Sequence, residues 1–265
     1  IQSFCNLIKR FIILQRESMK KVFWLIAAIF ISLGAACAPQ EKKMQYNISF
    51  LGDSITYGAT LSEGELCFAD LIARQDYAGH VQNLGISCST IGHPPSADVY
   101  FEGTNPISER YRTVRRDADF IFVLGGTNDY GNTPTNNVPL GVPEDTENVT
   151  FYGALNQLVA GIAADYPDAE LVLCTPVQRD NSAFVHWPAS LENEFGCRLE
   201  DYCNAIRDRA RHFGVNLLDL YAIEEMNVVS ERFLNYYTDG IHPNAEGHRL
   251  IAGAIDAFLR EAITR

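Results

Sequence analysis

At 265 residues and 47% hydrophobic content, the chain can bury one sizeable core and falls short of two. With 21 basic against 33 acidic residues its formal charge is −12, and its body holds no Lys/Arg-rich run, which argues against a nucleic-acid partner.

Residues 1–18 precede the only plausible start, Met19, and are set aside as upstream sequence outside the fold. Residues 19–38 read MKKVFWLIAAIFISLGAACA: two lysines, an apolar run from Val22 to Leu33, then small residues around Cys37. That is the layout of a secretory signal peptide, with an apolar stretch shorter than the roughly 20 residues a membrane span requires. Gly34-Ala35-Ala36-Cys37 resembles a bacterial lipobox, in which the cysteine is lipidated and becomes the new first residue, although Gly34 stands where such motifs usually carry Leu. Cleavage after Ala38 and retention as an uncleaved anchor are the alternatives, ranked in that order. The expectation is an exported protein of the bacterial envelope, periplasmic, held at the outer membrane or secreted, that meets a membrane only through a lipid on Cys37. The organisation that follows is a signal peptide over 19–37, a short linker over 38–46 and a single domain over 47–265.

Five of the 21 basic residues and one of the 33 acidic residues precede Cys37, so the exported part is near −16. It keeps Cys67, Cys88, Cys174, Cys197 and Cys203, an odd number that leaves at least one thiol unpaired. No C-x-x-C or Cys/His metal spacing occurs, and most of these cysteines read as small buried apolar residues.

From residue 47 onward, short apolar runs alternate with longer helical patterns. Strands are expected at 47–52, 81–86, 119–126, 169–175 and 215–220, rich in Val, Ile, Leu and Phe without strict alternation, as suits strands covered on both faces. Helices are expected at about 62–76, 106–116, 150–166 and 198–213. A final helix carries Leu250, Ile251, Ala254, Ile255, Phe258, Leu259 and Ile263 along one stripe, with Pro243 in its first turn. This alternation predicts an α/β fold with a parallel sheet and helices on both sides. Long loops at 87–105, 131–149 and 176–196 all follow strands, where an open α/β sheet forms its ligand crevice; plain surface insertions are the other reading.

Three polar clusters follow strands or open a helix: Gly52-Asp53-Ser54, Gly125-Gly126-Thr127-Asn128-Asp129 and Asp239-Gly240-Ile241-His242-Pro243. Gly85 joins them at the end of the second strand. A serine hydroxyl is a poor nucleophile near neutral pH and needs a base to take its proton and a carboxylate to orient that base. Asp239 and His242, three residues apart, can supply both from one turn. Gly85 offers a backbone N–H and Asn128 a carboxamide to hold an oxyanion.

In this order the four blocks resemble the SGNH hydrolases, the GDSL esterase family, across residues 52–243. The resemblance implies a three-layer α/β/α sandwich of flavodoxin-like type and no metal or organic cofactor. It assigns Ser54 as nucleophile, His242 as general base and Asp239 as its orienting carboxylate. The oxyanion hole would be the N–H groups of Ser54 and Gly85 with the Asn128 side chain. Two departures stand out: Ile55 follows the nucleophile where Leu is common, and Cys88 follows Gly85-Ile86-Ser87 where a small residue is common.

Beside the expected crevice, Asp53, Tyr57, Tyr130 and Trp187 are candidate substrate contacts, with ordinary packing an equal use for the aromatic ones. Asp129 reads as half of a local Asx turn. His80, His93, His186, His212 and His248 lack partner patterns and read as surface or core residues, and the spacing of His242 and His248 is not that of helical zinc ligands. No G-x-S-x-G pentapeptide occurs, which sets aside the α/β-hydrolase pattern. Crevice loops rich in hydroxyl, amide and aromatic side chains favour a small-molecule or glycan ester with a short acyl group, such as an acetylated sugar. An acyltransferase, or a lipase or thioesterase of the same family, is the alternative. A non-catalytic carbohydrate-binding protein is the third, although it would be expected to lack one of Ser54, Asp239 and His242.

Overall fold

The computed structural model describes residues 45–95, 106–131, 137–180 and 192–265. These belong to one unit, Met44–Arg265. The signal-peptide and lipidation expectations for 19–37 and Cys37, most of the 38–46 linker, and His186 and Trp187 lie outside the described residues.

Five strands form one all-parallel sheet: β1 (Tyr46–Gly52), β2 (Ala78–Gly85), β3 (Phe120–Leu124), β4 (Glu170–Cys174) and β5 (Asn216–Leu218), in the order β2-β1-β3-β4-β5. The reversal of direction in strand order falls between β1 and β3. There the registers Gly52↔Gly85 and Gly52↔Leu124 bring three strand ends level at one rim. β2 starts three residues earlier than its apolar run, because Ala78-Gly79-His80 lies at the sheet edge, partly exposed, and is held by pairing to β1 rather than by burial.

Side chains alternate across each strand, so β3 divides its five apolar residues between two cores. Ile121 and Val123 join Leu51, Leu171 and Leu173 beneath α5 (Phe151–Asp165) and α6 (Leu199–Phe213). Phe120, Phe122 and Leu124 join Ile48, Phe50 and Val172 beneath α2 (Phe68–Ile72) and α7 (Ala245–Ala262). The helical stripes explain the match: Leu155, Leu158, Val159 and Ile162 recur on α5, and Ile251, Ile255 and Leu259 on α7, all buried at three- and four-residue spacing. The result is an α/β/α sandwich.

Two expected helices are shorter than the pattern. Only Phe68–Ile72 is helical within 62–76, where Cys67 N donates to the Asp70 carboxylate at 3.1 Å and fixes the start. Within 106–116, α3 (Ile107–Arg110) gives way to a 3-10 turn over Tyr111–Thr113. Pro243 is not in the first turn of α7. It bridges to Tyr237, and Asn244 caps the helix by accepting from Glu246 N at 3.0 Å and Gly247 N at 3.2 Å. A side-chain acceptor at the cap satisfies the orphan N–H groups that a proline one residue earlier leaves untouched.

Candidate active site

At the end of β1 the chain turns directly into a single helical turn, α1 (Ser54–Tyr57). The turn is set by Asp53, extended at φ −103°, whose Oδ1 accepts from Ile55 N at 2.9 Å. This side chain is 1% exposed, which corrects its place among the substrate contacts: it shapes the backbone that carries Ser54. Burial pushes the Asp53 carboxyl up to about 6, against the Ile55 N–H, His242 and Arg110, which pull it down.

Ser54 Oγ lies 3.0 Å from His242 Nε2, across 188 positions of sequence. His242 Nδ1 lies 2.7 Å from Asp239 Oδ2, while Asp239 Oδ1 accepts from His242 N at 2.7 Å and Ile241 N at 2.9 Å. Partial burial would raise the Asp239 pKa, but the imidazole and the two N–H groups outweigh it and hold the carboxyl at about 2. An ionised Asp239 accepts from Nδ1–H, which leaves Nε2 with its lone pair toward Ser54. The loop bearing this pair is bracketed by Thr238 N donating to His242 O at 2.9 Å and Asp180 N donating to Gly240 O at 2.8 Å. The Tyr237 hydroxyl, in addition, donates to Gln178 O.

The second block differs from the sequence expectation. Gly85 N donates to Asn83 Oδ1 at 2.9 Å, so this N–H is engaged within its own strand end. The glycine is needed for another reason: a Cβ there would stand 2.1 Å from Tyr57 N and 2.6 Å from the Thr56 carbonyl carbon, so only a bare backbone lets α1 pass so close. Just beyond it, Ser89 N donates to Ile86 O at 3.2 Å and closes a tight turn in which Cys88 has φ +65°. Cys88 N has no hydrogen-bond partner among the described residues. Sequence reasoning missed it because a backbone donor has no side-chain signature; the available clue was the small-residue run Ser87-Cys88-Ser89 just past a strand.

Asn128 sits in the single turn α4 (Thr127–Tyr130) after β3, and its Nδ2 donates one hydrogen to Ser89 O at 2.9 Å. The other hydrogen has no partner among the described residues. Its neighbour Asp129 is not in a local Asx turn. It is fully buried, with its carboxylate accepting from Ile91 N and Gly92 N, each at 2.9 Å, so it ties the block-two loop to the block-three turn. Burial raises its carboxyl to about 7 against those N–H groups. Arg110, which no motif singled out, adds a third tie, donating to Leu84 O at 2.6 Å, Ser89 Oγ at 3.1 Å and Gly52 O.

Of the aromatic candidates, Tyr57 is 63% exposed one turn after Ser54. Tyr130 is fully buried, its ring under the Arg179 guanidinium at 5.1 Å and edge-on to Tyr202, which corrects its place as a substrate contact. A side chain that completes the core beneath α4 cannot also line the crevice. The five cysteines of the domain are all free thiols: Cys67, Cys174 and Cys203 are buried, Cys197 is partly so and Cys88 is exposed. Among the described residues no group of three or more His, Cys, Asp or Glu side chains gathers as a metal site would require.

The GDSL-like lipase/acylhydrolase family matches over residues 50–250. A crystal structure of a protein from Lactobacillus plantarum is 32% identical, with a TM-score of 0.69 over 83% of this chain and 98% of its own. A possible lipase from Chitinophaga pinensis is similar at 22% identity and TM-score 0.60, over 83% of this chain and all 100% of its own. A member of the lipolytic G-D-S-L family from Veillonella parvula aligns at 17% identity and TM-score 0.53, over 81% and 98% of the two chains, and speaks for the fold alone. No curated protein matches the chain with significance. The chain belongs to the GDSL-like lipase/acylhydrolase family and is a hydrolase of ester bonds.

Proposed function

We propose that this hydrolase is a serine esterase working through Ser54, His242 and Asp239, and that it releases a short acyl group, acetyl first, from a carbohydrate or other polar carrier. One observation carries the catalytic part: Ser54 Oγ, His242 and Asp239 form an unbroken relay with contacts of 3.0 and 2.7 Å. As Ser54 Oγ attacks the ester carbonyl carbon, its proton passes to His242 Nε2, and the imidazolium so formed is stabilised by Asp239. The negative charge moves to the carbonyl oxygen. Three donors without partners among the described residues suit that oxyanion: Ser54 N, Cys88 N and the second N–H of Asn128. Collapse of the tetrahedral species breaks the bond to the alcohol, which leaves with the proton from His242 Nε2. Water then repeats the sequence on the acyl-Ser54 ester, and the acid and free enzyme are released.

The short-acyl preference rests on the polar and aromatic character of the crevice loops, and the envelope location on the signal-like stretch at 19–37. Labelling with a fluorophosphonate tests the nucleophile: the wild-type chain is expected to react and Ser54→Ala to be silent, and a labelled variant would remove Ser54 from the chemistry. A series of p-nitrophenyl esters tests the acyl group, with acetate expected to turn over fastest; a preference for long chains would overturn that part alone.

A further inference from the structure

Asn128 can serve an oxyanion only if the turn that carries it stays put, and the turn is poorly equipped to do so alone. α4 is four residues long, and an isolated helical turn has no intrinsic stability. The glycines on either side, Gly126 at φ +110° and Gly131 at φ +79°, are in left-handed or related backbone states from which glycine moves easily. Something outside the turn has to hold it.

Arg179, in the segment after β4, lies against it and is 1% exposed. Its Nη1 donates to Thr127 O at 3.0 Å and Thr127 Oγ1 at 2.9 Å, and its Nη2 donates to Gly131 O at 2.9 Å. The planar fork therefore grips the residue before Asn128 and the residue that closes the turn, while the ring of Tyr130 lies beneath the guanidinium. A lysine ammonium could not span both ends with fixed geometry. Among the described residues Arg179 makes no ion pair with a carboxylate, and its buried Nε has no hydrogen-bond partner. Burial lowers its guanidinium to about 10, opposed by Tyr130, Asp53 and Asp239, so it stays protonated near neutral pH. Burying a cation against two carbonyl oxygens, a hydroxyl and a ring, all of them uncharged, is costly, and a core that needed only volume would be better filled by an apolar side chain. The flanking residues reach the other half of the site, since Gln178 O accepts from the Tyr237 hydroxyl and Asp180 N donates to Gly240 O beside Asp239.

We propose that Arg179 is a positioning residue for ester hydrolysis: by clamping Thr127 and Gly131 it fixes the Asn128 carboxamide at the place where the oxyanion forms. This rests on the reading of Asn128 as an oxyanion donor. The test is a double-mutant cycle on the full chain, with p-nitrophenyl acetate as substrate and the variants Asn128→Ala, Arg179→Met, Arg179→Lys and both double variants.

Asn128→Ala is expected to lose about 10²–10³ in kcat. Arg179→Met is expected to lose up to about 10² in kcat with KM nearly unchanged, as misplacement of a catalytic donor by about 1 Å can do. On top of Asn128→Ala, the same change is expected to cost less than about threefold, because the group it positions is gone. Should Arg179→Met fail to fold by near-UV circular dichroism, the Lys pair carries the same comparison, with a loss of roughly tenfold alone and almost none in the Asn128→Ala background. Equal losses in the two backgrounds, or a loss confined to KM or to thermal stability, would overturn the inference and leave the esterase assignment standing. A wild-type kcat in Asn128→Ala would instead remove the oxyanion role of Asn128, and this inference with it.

Discussion

Replacing Asp239 by Asn changes one atom and one charge, and the structure dictates which way the new amide turns. In the native loop, Oδ1 accepts from both Ile241 N and His242 N while Oδ2 meets His242 Nδ1. An asparagine keeps the two backbone bonds only if its carbonyl oxygen takes the Oδ1 place, which turns its NH₂ toward Nδ1. Two donors cannot face one another, so His242 must present a bare Nδ1 and carry its proton on Nε2. In that tautomer the nitrogen 3.0 Å from Ser54 Oγ has no lone pair to accept the serine proton. The expected loss in kcat is about 10⁴, or about 5 kcal/mol of transition-state stabilisation, the scale seen when a triad aspartate is made an amide elsewhere. The fold is expected to survive, since both backbone bonds are kept. Steady-state hydrolysis of p-nitrophenyl acetate, alongside circular dichroism of the same sample, reads both quantities. A folded Asp239→Asn protein within tenfold of wild-type turnover would refute the proton route through His242.

Cys88→Gly is expected to keep kcat within about threefold, because the donor assigned there is backbone and glycine adopts φ +65° without strain; a large loss would point to the thiol instead. Arg110→Met should lower kcat more than it raises KM, because it releases Gly52, Leu84 and Ser89 together, and kinetics over a range of substrate concentrations separate the two. His248 gives a pH test of stability. It is fully buried, its Nδ1 accepts from Phe68 N at 3.2 Å, its Nε2 has no partner among the described residues, and burial lowers its pKa to about 4. A folded pKa below the ordinary 6.5 means the unfolded chain takes up the proton first. The contribution is therefore complete above about 6.5 and is lost as the pH falls toward 4, by roughly 2 kcal/mol at pH 5. Asp53 and Asp129, whose carboxyls are raised, act in the opposite sense, so the measurement is the difference between wild type and His248→Asn in urea unfolding at pH 7 and pH 5. A difference independent of pH would show that His248 titrates normally in the fold.

Much of the architecture was legible because burial leaves a periodic trace. The runs 119–126 and 169–175 became β3 and β4, and the stripes over 150–166 and 198–213 became α5 and α6 within a residue or two at each end. Legibility failed where structure is held by something other than apolar periodicity. The start of β2 is an edge pairing, α2 is set by a short-range cap, and the cap of α7 is Asn244 rather than a proline. Within the site, side chains that react were visible as residue types in short clusters. Those that support them were not: Arg110 and Arg179 look like any surface arginine in the sequence, and both are buried against carbonyl oxygens.

The sequence by itself determined the chemical inventory: a hydroxyl after a strand, an Asp and His three apart, an amide after another strand, and enough apolar periodicity to demand a two-sided sheet. The tertiary structure alone decided two further things. Parallel pairing brings the carboxyl ends of β1, β2 and β3 to one rim, and the loops there let groups 188 residues apart come within 3.0 Å. It also decided which backbone donors stay open, with Gly85 N taken by Asn83 and Cys88 N left unpartnered among the described residues. Every residue but proline carries the same N–H, so its availability depends on where its neighbours end up and not on what they are.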